Sequence, residues 1–354
     1  MKHPAIRYAV AIAIAGAALY LAFHKQHLGR LAHELEGANI LIILAGTAVM
    51  FLSHLVRAWR YKMFLRPLAP HTRLWSAFRA LIAGYAANNV IPRSGDIVRP
   101  LIFSKRENIP VATSVAVLLI ERLTDLIGLT AILIVSILLF EDKIELQFPS
   151  LDGSQVPVLA VLVAIFGFAL LILFSERKTK SVIHWLARAL PKRFRKAVEE
   201  GAVHIEEGLK GVRRGSALPV IVGTAGISAF YTLSMYISTF AMPIASLQDV
   251  GLGGCFLLQS MSGLAYIMPA PGGTGTYHFL ISQSLAAVFG VPPEAAIAFA
   301  TLTHASNYVC TTVVGFIFMI ADGVSMTTVR DKTMEIRAAR RPAYQRNERH
   351  VAAL

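Results

Sequence analysis

Asn88-Asn89-Val90-Ile91-Pro92-Arg93-Ser94-Gly95-Asp96-Ile97-Val98-Arg99 and Pro269-Ala270-Pro271-Gly272-Gly273-Thr274-Gly275-Thr276-Tyr277-His278 decide how this chain folds. Each interrupts apolar helical sequence with proline and glycine, and Pro92 and Pro271 stand 179 residues apart, about half the chain. In hydrocarbon, backbone that leaves the helix strands N–H and C=O groups at several kcal/mol each unless protein or a wet cavity receives them. A pair of breaks at matching positions in two halves is a sequence pointer to a binding site at the middle of a membrane.

The surrounding sequence supplies the membrane. Of 354 residues, 55% are hydrophobic and 16% charged, against about 25% charge in ordinary soluble domains. The net charge of +13 does not point to nucleic acid, because the basic residues sit in segments flanking apolar runs, as in cytoplasmic membrane loops. Cys255 and Cys310 lie in apolar segments without CxxC spacing, which excludes a disulfide framework or a zinc site. Residues 1–23 carry Lys2 and Arg7 ahead of an apolar run that continues to Phe23. That is too long for a signal-peptide core, so the segment reads as an uncleaved first helix.

Runs long enough to span are Ile6 to Phe23, Ala38 to Val56, roughly Ala112 to Phe140, Val156 to Phe174, Leu218 to Ala245 and Ala295 to Ala321, each near the length a bilayer requires. Two more apolar stretches, Leu74 to Ile91 and Val250 to Met268, each run into one of the breaks. The charges orient them. Arg57, Arg60, Lys62, Arg66 and Arg73, with no acidic residue among them, read as a cytoplasmic loop. Residues 141–155 hold four acidic residues and one lysine and should face outward, whereas 175–216 hold eleven Lys/Arg and the segment beyond 329 holds seven, and both should be cytoplasmic.

If Arg73 is inside and the helix near 110–140 runs outward, the segment between must enter and leave from the cytoplasmic side. Its return leg, Ile97 to Lys105, would be about 14 Å long as a helix, too short to span. The same argument makes Ser246 to Pro293, which has no Lys or Arg, enter and leave from the outside. The expected fold is therefore all-α and polytopic, about six spanning helices plus two opposed re-entrant hairpins forming an inverted repeat. The halves share no visible sequence identity, and the repeat rests on topology and spacing. A single integral membrane domain is expected over residues 1–329. Its first half, 38–174, holds a hairpin at about 74–105, and its second half, 217–322, one at about 248–291. The linker 175–216 is basic and cytoplasmic, as is the tail 330–354. Within that linker, Phe194, Val198, Ala202, Ile205, Leu209 and Val212 recur at helical spacing, consistent with an interfacial amphipathic helix or with a solvated cytoplasmic hairpin. Trp185 and Leu186 suggest a short interfacial segment before it.

Glu121-Arg122-Leu123-Thr124-Asp125 lies inside the helix of 112–140. Charges at that depth cost about 2.5–3.5 kcal/mol each on insertion scales and face a partner or a cavity. Spacings of three and four put Glu121, Arg122 and Asp125 on one helical face, and the first break adds Arg93, Asp96 and Arg99. These six form either a structural ion-pair network or, through Arg93, Arg99 and Arg122, a receptor for an anionic headgroup such as phosphate, which the planar arginine fork fits. Pro271-Gly272-Gly273-Thr274-Gly275 lacks the Lys-Ser/Thr ending and the preceding strand of a P-loop. Its glycines instead free backbone at a break, where a half-helix starting near Thr276 would favour an anion. Gly251-Leu252-Gly253-Gly254 reads as a loop. His278, His304 and Asn307 are buried polar candidates, with a packing hydrogen bond the plainer role for the last two. No HExxH, GxSxG or His/Cys cluster is present. No metal and no cofactor are expected.

Taken together, Asn89, Pro92, Arg93, Gly95, Asp96 and Arg99, then Glu121, Arg122 and Asp125, then Pro271, Gly272, Gly273 and Gly275 form three ordered motifs. They resemble the flippase-like membrane family typified by the transmembrane half of lysylphosphatidylglycerol synthase/flippases, over roughly residues 6–322. The resemblance implies a bacterial inner-membrane protein, both termini cytoplasmic, that moves lipids with polar headgroups between leaflets. Asp96 stands where the family commonly has Glu. His278 stands where the third motif usually ends in Glu, which puts a counter-ion role there in doubt. The aminoacyl-transferase domain of the two-part synthases is not part of this pattern, so the chain is expected not to synthesise the lipid and not to be an enzyme.

These readings give a lipid translocase for an anionic, sugar-modified or amino-acid-modified lipid. Asn89, Arg93, Arg99, Arg122, Gly272, Gly273, Gly275 and His278 would bind substrate. Asp96, Glu121, Asp125, His304 and Asn307 would form a charge network or couple transport to protons. A membrane-embedded transferase or accessory subunit and a small-solute transporter are the alternatives. Membrane lipids are the expected partners, with a second copy of the chain or a lipid-synthesis enzyme as candidate protein partners.

Overall fold

The computed structural model describes residues 4–24, 26–142, 155–189, 206, 209 and 218–323. Among these, all regular structure is helical. In chain order the helices are α1 Pro4–Phe23, α2 Leu28–Glu36, α3 Ile40–Leu65, α4 Leu74–Val90, α5 Gly95–Glu107, α6 Val111–Leu139, α7 Gln155–Phe174, α8 Glu176–Ala189, α9 Leu218–Thr239, α10 Ala245–Gln248, α11 Gly251–Ile267, α12 Thr276–Phe289 and α13 Pro293–Ala321. A 3₁₀ turn, Pro271–Gly273, lies between α11 and α12.

Five of these, α3, α6, α7, α9 and α13, are long and apolar enough to cross a membrane. Among the described residues the apolar stretch of the expected sixth, α1, is Ala9–Phe23. The loops are corrected in two places. The segment from Arg57 to Arg73, read above as a loop, begins as helix: α3 runs on to Leu65 and buries Arg60 completely. Charges that pair inside the protein are not subject to the loop-charge rule, and that is the case here. Gly251 to Gly254 is also helix rather than loop, opening α11 with Gly251 at φ 61°. Of the proposed amphipathic helix of residues 194–212 only Glu206 and Leu209 are described, both helical, with Leu209 buried, and the basic tail lies outside the described residues. Trp185, on α8, is exposed.

Two apolar cores form. One gathers Tyr61, Phe64 and Leu65 of α3, the alanine-rich face of α4, Val98, Ile102 and Phe103 of α5, and Val117 and Leu118 of α6. The other gathers Cys255, Leu258 and Ala265 of α11, Tyr277, Ile281 and Leu285 of α12, and Ala295 to Ala300 of α13, with Ala22 of α1. Each core thus surrounds one of the helix pairs joined at a break. Between the halves, α3 packs along α9, α4 along α13, and α11 against α6. Small residues allow the close approach: a Cβ at Gly315 of α13 would strike Ala86 and the Ile82 carbonyl of α4.

Candidate functional site

At the first break α4 ends at Val90 and α5 starts at Gly95. Pro92 cannot donate a backbone hydrogen bond, and Arg93 takes the left-handed conformation, φ 62°, unusual for a residue with a side chain. The freed backbone groups are met by side chains. Asn88 Oδ1 accepts from the Gly95 amide at 2.7 Å, occupying one of the donors that a helix start leaves unpaired. Asn89 turns to α13, its Nδ2 donating to Thr312 Oγ1 at 2.8 Å and to the Tyr308 carbonyl at 3.3 Å. Tyr308 returns its hydroxyl to the Asn89 carbonyl at 2.8 Å.

The second break lies against the first. Arg93 Nη2 donates to the Ile267 carbonyl at 3.1 Å. Gly272, at φ 54°, sits where a Cβ would come within 2.7 Å of Asn89 Oδ1 and of the Tyr308 ring, so only glycine fits both the backbone and the neighbours. His304 Nε2 meets the Gly272 carbonyl at 3.0 Å, and the Gly275 amide donates to His278 Nδ1 at 3.3 Å. The two imidazoles lie 4.8 Å apart, centre to centre. His278 therefore caps α12 with its own ring, and Gly275 abuts the α1 backbone at Ala15 and Leu19. Gly273 is covered by the Tyr266 ring. Asn307 Nδ2 donates to the Tyr266 hydroxyl at 3.4 Å. His304 and Asn307 thus make their hydrogen bonds at the second break, apart from the carboxylates with which the sequence grouped them.

The charged residues of α6 enter a network that draws on three other helices. Glu121, with no exposed surface, receives both terminal nitrogens of Arg99 from α5 at 2.7 Å each. This two-point geometry is the strongest arrangement of the pair. The Arg99 guanidinium also lies 4.4 Å from the Tyr61 ring centre, and Tyr61 donates to the Ser114 carbonyl at 2.9 Å. Asp125 is held by Arg57 and Arg60 of α3. Arg57 also approaches Glu121 at 3.6 Å, and Arg60 donates to Thr224 of α9 at 2.8 Å. Glu121 and Asp125, one turn apart, therefore lock α6 to α3 and α5.

Arg122 stands at the edge of this network, its Nη1 3.9 Å from Asp125 Oδ2. It pairs with Asp96 at 2.8 Å, and the two side chains are 47% and 41% exposed. This pair forms an open rim beside a closed network. Sequence reasoning missed Arg57 and Arg60, although two buried carboxylates four residues apart already called for more than one arginine. The four arginines 57, 60, 99 and 122 outnumber carboxylates 96, 121 and 125 by one positive charge. A separate cluster closes the far end of α4 and α5, where Arg79 and Arg106 both pair with Asp322 at the end of α13. Among the described residues no group of His, Cys, Asp and Glu could hold a metal ion.

Fold and site together define a polytopic helical membrane domain in which two helix breaks meet beside an intramembrane arginine–carboxylate network. The chain belongs to the lysylphosphatidylglycerol synthase TM region family, whose model matches residues 8–315. It is also similar to a protein of Haloferax volcanii named Glycosyltransferase AglD, 28% identical over 331 residues, a match covering 86% of this chain and 52% of that protein. The chain thus spans about half the length of this relative. The finding corrects the expectation that the chain is not an enzyme: a match across most of its length to a protein named a glycosyltransferase does not set it apart from enzymes. Short motifs of soluble enzymes, such as HExxH and GxSxG, say little about chemistry built into a membrane domain.

Proposed function

We propose that this membrane domain receives the anionic polar headgroup of a lipid at the Arg122–Asp96 rim and carries it between leaflets while the lipid tails remain in the bilayer. The observation that carries the reading is the half-exposed Arg122–Asp96 pair, whose arginine stands on a helix long enough to span. Ionisable groups within a span mark substrate pathways, and the excess arginine charge favours an anion. Arg122 and Arg93 would meet the headgroup, while Arg57, Arg60 and Arg99 hold the carboxylates that position α6.

The two helix pairs act as opposed re-entrant hairpins of an inverted repeat. What supports this is an exchange of partners: α4 of the first pair packs on α13, the helix that follows the second pair, as α11 of the second pair packs on α6, the helix that follows the first pair. Meanwhile α5 stays with α6 and α12 with α13. Such symmetry makes a midplane site reachable in turn from either side. The basic segments after α7 and α13 face the cytoplasm of a plasma membrane.

The test is translocation in vesicles of phosphatidylcholine doped with a headgroup-preserving, tail-labelled phosphatidylglycerol, followed by the fraction accessible to a membrane-impermeant phospholipase. Wild type should expose inner-leaflet label faster than protein-free vesicles, and Arg122→Ala should not. Equal rates in all three would overturn the reading. A second reading, in which the domain presents a lipid-linked sugar for glycosyl transfer, is favoured by the relative named a glycosyltransferase, and release or transfer of sugar from a lipid-linked donor by the purified chain would establish it.

A further inference from the structure

The arginine–carboxylate network has a hydroxyl in its midst that it does not use. Tyr85 lies on α4, one turn before Asn88 and Asn89, and packs only in part against the first core. Its ring rests 4.9 Å from that of His54 on α3, centre to centre, and the burial of His54 holds it there. Tyr85 comes within electrostatic reach of Arg57, Arg99 and Arg122, from three helices of the first half. It comes within the same reach of Tyr231 on α9 and Tyr266 on α11, from the second half. The hydroxyls of Tyr61, Tyr277 and Tyr308 bond to Ser114, Thr303 and the Asn89 carbonyl. Among the described residues the Tyr85 hydroxyl has no such partner, and its oxygen is not one of the fully buried polar atoms.

The carboxylates nearby are committed elsewhere. Glu121 gives both oxygens to Arg99, Asp125 gives one each to Arg57 and Arg60, and Asp96 pairs with Arg122. The charged neighbours of Tyr85 are guanidiniums, which donate only. Its hydroxyl therefore has a proton to give and no oxygen there to receive it. What the position lacks is an acceptor, and the surplus of arginine charge asks that the acceptor be an anion. A phosphate ester meets both needs, since its charged oxygens accept only. Of the three arginines, Arg122 is the open one, its side chain 47% exposed against 12% for Arg57 and 5% for Arg99. An anion would thus touch Arg122, while the other two act on it through their field.

We propose that Tyr85 is a substrate-binding residue of this site: Arg122 holds the charge of a phosphate ester at the rim, and the Tyr85 hydroxyl donates to one of its oxygens on the inner side, toward Tyr231 and Tyr266. The inference rests on the lipid-headgroup reading above and adds to it the group that meets the phosphate as it leaves the rim. A phosphate ester without lipid tails shares this chemistry, and the experiment separates the two sources.

The experiment is native mass spectrometry of the purified full chain in detergent, titrated separately with phosphatidylglycerol and with glycerol phosphate, beside thermal unfolding of each variant. Tyr85→Phe removes the hydroxyl and keeps the ring. It should weaken phosphatidylglycerol binding about tenfold and leave the unfolding temperature unchanged, because no hydrogen bond within the protein is lost. Tyr277→Phe should do the reverse: it loses the bond to Thr303 and unfolds at a lower temperature, yet binds the lipid as wild type does. Phosphatidylglycerol affinity that is equal in wild type and Tyr85→Phe, but falls in Arg122→Ala, would overturn the role of Tyr85 and leave the headgroup reading standing. A Tyr85→Phe variant that loses affinity and unfolding temperature together would mark the residue as structural and overturn the role likewise. Glycerol phosphate bound as tightly as the lipid, with the same dependence on Tyr85, would uphold the phosphate contact and overturn the lipid reading. Failure of wild type to bind either probe would overturn both.

Discussion

Arg93, at the tip of the first break, hydrogen-bonds through Nη2 to the backbone carbonyl of Ile267, at the end of the helix that enters the second break, at 3.1 Å. Residues 174 apart in sequence are thus joined at the two places where helix is interrupted. The first break supplies the donor, Arg93, and the second the carbonyl that receives it, while Asn89 of the first break and the Gly272 carbonyl of the second both bond to α13.

The first prediction concerns Arg99 and Glu121. Removing one member of a buried, two-point ion pair leaves the other charge unmatched, at about 3–5 kcal/mol, whereas replacing both by apolar groups is often near neutral. Arg99→Met should therefore lower the thermal unfolding temperature in detergent sharply, and Arg99→Met with Glu121→Leu should recover most of the loss. Equal destabilisation by the single and double variants would show that the pair is not the coupled unit described here.

A second prediction separates glycines by geometry. Gly272→Ala places a Cβ against Asn89 and Tyr308 at a positive φ, which should cost about 1–3 kcal/mol. Gly167 of α7 has nothing within reach of an added Cβ, so Gly167→Ala should be neutral or stabilise by up to about 1 kcal/mol. Unfolding curves for the two variants, side by side with wild type, check the contrast, and it fails if they move together.

Arg60 provides a third. It joins α3 to Asp125 of α6 and Thr224 of α9, and Gly223 makes room for its stem, with a Cβ there only 3.1 Å from Arg60 Cβ. Arg60→Ala should destabilise by roughly 3–5 kcal/mol and Thr224→Val by about 1 kcal/mol. A Thr224→Val effect as large as that of Arg60→Ala would place the weight on α9 instead of Asp125.

The hairpin disposition has its own test. Cysteines introduced at Arg93 and Thr274, in intact cells, should react with a small impermeant maleimide far more slowly than one introduced at Trp185, even after the cytoplasmic face is opened to reagent. Reaction at the rate of an ordinary loop would remove the midplane placement of the tips.

Much of this arrangement was legible in the chain. Pro92 and Pro271 marked the breaks because clustered proline and glycine disfavour helix, and Glu121 and Asp125 marked the network because lone charges do not rest in a span. Arg57 and Arg60 were hidden because counting basic residues cannot distinguish a loop facing water from a helix end facing buried acids. Their three-residue spacing, matched to carboxylates four apart, was the available signal. Helical spacing set Arg122 beside Asp125, 3.9 Å away, but its shorter tie to Asp96 was not readable, since that depends on where α5 places Asp96.

The most direct test of headgroup binding at the Arg122–Asp96 rim is lipid mass spectrometry on the protein extracted gently from its own membrane, wild type beside Arg122→Ala. An anionic lipid enriched over the bulk membrane in wild type and lost in the variant is the predicted result. A wild-type profile matching the bulk membrane, or an enrichment that survives the loss of Arg122, would contradict it.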